Sequence, residues 1–149
     1  MSTIHKMFEH VHWANQRVLE TLQQAESVHA ETIRLFAHIL HSEQVWLTRL
    51  QGKDSSHLPI WSDANLIICE QLVVQNEQGY RSYLHATEDK DFNQLITYRN
   101  SKQQQFSKSI GDILTHVALH GQYHRGQINL RLRPEGVEPI SLDYILFVD

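Results

Sequence analysis

Three histidines, His116, His120 and His124, recur four residues apart within residues 112–133, a stretch that reads as one long helix. Side chains at i and i+4 stand one above the other on the same helix face, so two of these imidazoles can reach one metal ion. All three cannot, because eight residues at 1.5 Å each separate the outer two by about 12 Å along the axis. A helical wheel chooses between the two possible pairs. At about 100° per residue, Ile110, Ile113, Val117, Gly121 and Ile128 form one apolar face. His120 and His124 fall inside or beside it, and His116 lies at its edge with Tyr123 and Gln127. The competing reading is that the histidines fill a polar core without an ion, since 11 histidines in 149 residues produce some close spacings by chance.

Two imidazoles leave a divalent ion under-coordinated, so a third ligand must come from another element. A helix over residues 30–51 carries His38 and His41. Its buried face holds Leu35, Phe36, Ile39, Leu40, Trp46, Leu47 and Leu50; His38 stands at the edge of that face and His41 points nearly the other way, toward solvent. His38 is therefore the better-placed third ligand. Glu43 projects into the apolar side and needs an arginine, a histidine N–H or water as partner.

Composition narrows the classes around this pattern. A net charge of −4 with histidine neutral argues against a dedicated nucleic-acid binder. The lone Cys69 excludes an internal disulfide and a cysteine-based zinc cluster, which makes reducing cytosol the expected compartment. The N-terminal MSTIHKMFEH lacks the apolar core of a signal peptide, and the longest apolar runs are too short for a bilayer. At this length one domain, residues 1–149, is expected.

The remaining elements must position the histidines. Ser2 or Thr3 caps a first helix reaching about Ala25, with Ile4, Phe8, Val11, Val18 and Leu22 as its stripe and Asn15 near the centre. Trp13 points the opposite way, which calls for a covering tail or second subunit. Gly52 and Pro59 mark a loop, and Ser62 or Asp63 caps a third helix ending near His85, with Leu66, Cys69, Val73, Tyr80 and Leu84 in its core. His57 and His85 read as surface residues. LITYRN at 95–100 and residues 105–108 form a short hairpin before the histidine helix, capped by Ser109 or Asp112. After Pro134, Gly136 and Pro139, SLDYILFVD is a last helical turn or an extended cover. Four such amphipathic helices imply an all-α four-helix bundle.

These residues together resemble the DinB family, also described as DinB/YfiT-like damage-inducible bundles. The likeness is carried by HWANQRVLETL, AHILHSEQVWLTRL, ITYRN, PISLDYILFV and, most specifically, HVALHGQYHRGQI. It implies an antiparallel bundle with a long crossover between helices 2 and 3, frequent homodimers, and zinc or nickel held by three histidines. Those correspond here to His38, with Glu43 and Trp46 at offsets five and eight, and to His120 and His124 of HxxxHRGQ. The wheel and the resemblance select the same three residues. The chain departs from the family in SKQQQ, which puts no glycine in the turn after TYRN.

Three imidazoles and one free position form an open site of the kind used in catalysis. The resemblance is to proteins some of which transfer a thiol such as bacillithiol or glutathione onto electrophiles and others of which isomerise maleylpyruvate with a thiol. The first expectation here is a metal-dependent thiol S-transferase of stress response or detoxification, working on a small-molecule substrate with a low-molecular-weight thiol. A hydrolase, and a non-catalytic bundle with a structural ion, are the alternatives. Glu43 could orient a ligand imidazole, and Arg125 could pair with Glu43, with a substrate carboxylate, or in a helix-surface ion pair. Tyr123 and Asn15 are possible donors near the pocket.

Overall fold

A computed structural model describes residues 2–148. Four long helices dominate: α1 (Thr3–Gln24), α2 (Ala30–Leu50), α3 (Leu66–His85) and α4 (Ile110–Leu132). Each starts at a side chain that accepts an otherwise unpaired backbone N–H: Ser2 from His5, His29 from Glu31, Asn65 from Ile68 and Ser109 from Asp112. The third helix thus begins at Leu66 and not at Ser62 or Asp63, because both of those residues are used elsewhere. Gly52, at φ 75°, provides the left-handed turn that lets the chain leave α2.

The packing pairs fix the topology. His5 and Glu9 of α1 lie against Leu84 and Arg81 of α3, so those helices are antiparallel. Trp46 meets His116 and His38 meets His124, so α2 and α4 are antiparallel as well. Glu43 bonds Asn76, and further along α2 Leu47 packs on Gly79, so α2 and α3 run in the same direction.

Between α3 and α4 come a 3-10 turn (Asp89–Asn93) and an antiparallel hairpin, β1 (Leu95–Arg99) and β2 (Gln105–Ser109), with Tyr98 opposite Phe106. The turn closes without glycine. Gln103 takes φ 64°, and the Asn100 side chain accepts the backbone N–H of Lys102 and Gln104. After a 3-10 turn (Arg133–Glu135) the tail runs extended and ends in one helical turn, α5 (Tyr144–Phe147). The His10 ring bonds the Leu142 carbonyl at 2.7 Å, and Phe147 lies 5.6 Å from the Trp13 ring, so the tail covers that tryptophan. Asp149, the last residue of the expected apolar tail, lies outside the described residues.

The core has two apolar clusters. Ala14, Val18, Leu22, Phe36, Ile39, Leu40, Cys69, Val73, Ile128 and Leu132 belong to one. Phe8, Leu47, Leu50, Tyr80, Leu84, Ile113 and Val117 belong to the other, at the hairpin end. Between the two clusters lie the buried polar residues Glu43 of α2, Asn76 of α3 and Arg125 of α4, and Asn15 of α1, beside Ala14 of the first cluster, meets them.

Candidate metal centre

The antiparallel contact of α2 with α4 brings one turn of each helix face to face. His38 of α2 is buried, and His120 and His124 of α4 are half-buried beside it; one ring nitrogen from each lies within 4.8 Å of the others. Ring centroids are separated by 5.0 Å (His38–His120), 4.7 Å (His38–His124) and 4.5 Å (His120–His124). His116 is exposed, with its ring 5.6 Å from His120, and is not one of the three.

Hydrogen bonds at the back of two rings fix where their lone pairs point. A carbonyl can only accept, so the 3.0 Å contact of His38 Nδ1 with the Ile60 oxygen puts the proton on Nδ1 and leaves Nε2 as a donor atom for an ion. The same logic applies to His124, whose Nδ1 lies 2.7 Å from the Gln127 side-chain oxygen. His38 Nε2 in turn faces His120 Nε2 at 3.2 Å. Burial lowers the pKa of His38, and it takes His120 down to about 4 with the neighbouring imidazoles reinforcing it. Both rings are therefore neutral at pH 7. Neutral, converging imidazoles of borderline softness are a donor set that suits a late first-row divalent cation.

The polar layer between the apolar clusters links all four helices. Glu43 accepts from Asn15 Nδ2 at 2.9 and 3.2 Å and from Asn76 Nδ2 at 3.0 Å. Asn15 accepts from Arg125 Nη1 at 2.8 Å, and Tyr80 donates to the Glu43 backbone carbonyl. Among the described residues no direct ion pair joins Glu43 and Arg125; Asn15 bridges them. Burial pushes the Glu43 carboxyl above its usual range, against the pull of its amide donors and of Arg125. Burial draws Arg125 down to about 10, still cationic at neutral pH. The guanidinium fits because position 121 is glycine: a Cβ there would sit 2.9 Å from Nη1.

Several expectations change in this light. Arg125 is no surface ion-pairing residue, being only 1% exposed. Glu43 orients no imidazole; the Ile60 carbonyl and Gln127 do that. Asn15 serves the buried layer, and Tyr123 is exposed with its ring 5.1 Å from His124. His41 is buried, not solvent-facing, with Nε2 2.8 Å from the Ser62 hydroxyl. Trp61, unremarked in the sequence, lies flat on His38. An unassigned tryptophan directly after Pro59 and Ile60 was the available signal for it.

The sequence model of the DinB family matches residues 1–149. The chain belongs to the DinB family. Protein DinB of Bacillus subtilis (strain 168) is a similar protein, 27% identical over an alignment of 165 residues that covers 96% of this chain and 92% of that relative. The family assignment agrees with the helical bundle, and among the described residues of this DinB-family chain no helix is long and apolar enough to cross a membrane.

Proposed function

We propose that His38, His120 and His124 hold a divalent metal ion, zinc or nickel, and that this DinB-family protein is a metal-dependent thiol S-transferase acting in detoxification or stress response. The observation carrying this reading is the convergence of three ring nitrogens with two of the rings locked, by Ile60 and Gln127, in the tautomer that leaves Nε2 free. An ion held by three imidazoles keeps a coordination position open and, when bound, lowers the pKa of a thiol or water enough to make a nucleophile at neutral pH. The protein's own part is to hold the rings. Gln127 and the Ile60 carbonyl orient them, and the Trp61 ring covers one face of His38.

The reading extends to a cytoplasmic homodimer of single-domain subunits. Leu119, Tyr123 and Leu130 stand exposed on α4 and favour a covered face there. Sedimentation of the purified chain tests the dimer. A second reading, a structural ion in a non-catalytic stress-related bundle, is favoured by the ligands coming from two helices distant in sequence. Metal analysis of untagged protein, followed by incubation with a panel of low-molecular-weight thiols and monochlorobimane, separates the two. One equivalent of metal with thiol conjugation supports the transferase; metal without conjugation across the panel leaves the structural reading.

A further inference from the structure

The connection from α2 to α3 has no regular structure at residues 60–63, yet each of those four residues touches α2 beside the three histidines. The Ile60 carbonyl accepts from His38 Nδ1 at 3.0 Å. The Trp61 indole lies on the His38 ring with centroids 3.6 Å apart and planes 5° from parallel, and it stands edge-on to His124 at 6.4 Å. The Ser62 hydroxyl meets His41 Nε2 at 2.8 Å, and Asp63 reaches Arg34 at 3.4 Å. The last contact contributes little, because the Asp63 side chain is almost fully exposed. The histidine contacts, together with the Arg34 guanidinium 5.1 Å from the centre of the Trp61 ring, therefore hold the segment in place.

An imidazole on a helix has two soft torsions, and each must be fixed if one nitrogen is to face an ion. For His38, the Ile60 carbonyl chooses which nitrogen carries the proton, and the flat indole covers one ring face and blocks rotation about the Cβ–Cγ bond. Trp61 is 46% exposed, a poor position for an indole whose only task is filling core. Its ring bridges an α2 ligand and an α4 ligand from outside.

We propose that the 60–63 strap is the outer wall of the metal centre and that Trp61 is its positioning residue, holding the His38 ring against the Ile60 carbonyl so that Nδ1 keeps the proton and Nε2 turns toward His120 and His124. The inference rests on the reading of those three residues as ligands. It makes metal affinity a property of the crossover as well as of the two helices. His41 and Ser62 form the far anchor of the strap.

The test uses the full chain and its Trp61→Ala, Trp61→Phe and Ser62→Ala variants. Zinc affinity is measured by competition with a chromophoric chelator, the cobalt(II) visible spectrum reports ligand geometry, and ring-nitrogen NMR of ion-free protein reports the His38 tautomer. Removing a ligand-orienting partner weakens metal binding by about 10–100-fold, and that loss is expected for Trp61→Ala. The cobalt spectrum should change, and His38 should become a mixture of tautomers. Trp61→Phe, which keeps a flat ring, should recover most of the affinity, and Ser62→Ala should lie between. Wild-type affinity and an unmixed tautomer in Trp61→Ala would overturn the proposal, as would a Phe variant no better than Ala. If the wild type takes up neither zinc nor cobalt, the ligand reading itself has failed, and the tautomer measurement still decides whether Trp61 positions His38.

Discussion

Replacing one member of the buried charged pair should cost far more than replacing both. Arg125→Met removes the cation that faces the buried Glu43 carboxylate across Asn15, and Glu43→Gln removes the carboxylate that faces the buried guanidinium. Breaking a buried pair from one side costs about 3–5 kcal/mol, whereas apolar or neutral replacement of both partners is often close to neutral. Each single variant should lose that amount, which for a chain of this size is about 10–20 °C in Tm. The double variant should lose clearly less than the sum. Urea unfolding at pH 7 followed by circular dichroism gives the three values, with unchanged m showing that the folded state stays compact. pH supplies a second signature. Without Arg125, the raised pKa of Glu43 rises further, so the folded state holds a proton that the unfolded chain releases near its ordinary 4.5. The deficit of Arg125→Met should therefore grow as pH rises above that value and shrink in acid. Single-variant losses that add to within about 0.5 kcal/mol in the double would refute coupling through Asn15.

Gly121→Ala tests the same layer sterically. Alanine favours the helix by about 1 kcal/mol, but its methyl would press on a guanidinium held by Asn15, so a net loss of about 1–3 kcal/mol is expected by thermal melting. A stabilised variant would mean that Arg125 moves aside freely. Burial lowers His12 to about 4, against 6.5 when unfolded, and its buried Nε2 has no hydrogen-bond partner among the described residues. The unfolded chain thus binds more protons between those values, and up to about 3 kcal/mol of stability present above pH 6.5 should disappear as pH falls toward 4. His12→Phe should flatten that acid limb, read as Tm against pH. Zinc at 100 times its Kd should raise Tm by an amount equivalent to about 2.7 kcal/mol, and His120→Ala should abolish the rise; an unshifted wild type speaks against the ion.

Much of this was legible in the residues. Spacing alone put His120 and His124 on one face, and the apolar periods of α1, α2 and α4 gave those helices nearly to their ends, because a single buried stripe against solvent is what periodicity detects. The wheel misplaced His41 for the same reason. It assumes one wet face, but α2 is flanked by α3 and α4 and covered further by the 60–63 strap. Ser62 and Asp63 have good capping chemistry, yet their side chains are taken by His41 and Arg34, so Asn65 caps α3 instead. Arg125 carried no local sign of burial; its place depends on the missing side chain at Gly121, one turn earlier, and on Asn15, 110 residues away in sequence. The hairpin was anticipated from its β-branched and aromatic content, but the left-handed Gln103 that closes it depends on the Asn100 side chain.

No residue separates β2 from α4: Ser109 ends the strand and its hydroxyl caps the helix, while the Ile110 N–H bonds the Gln94 carbonyl. The hairpin is also gripped from α2, where Trp46 meets Tyr98 and the Arg49 guanidinium lies 4.6 Å from each of those rings. A strand that becomes a helix without slack hands its own restraint to that helix. The grip of α2 on the ribbon therefore also pins the start of α4, so the helix that carries His120 and His124 is held at its N-terminal end as well as along its flank.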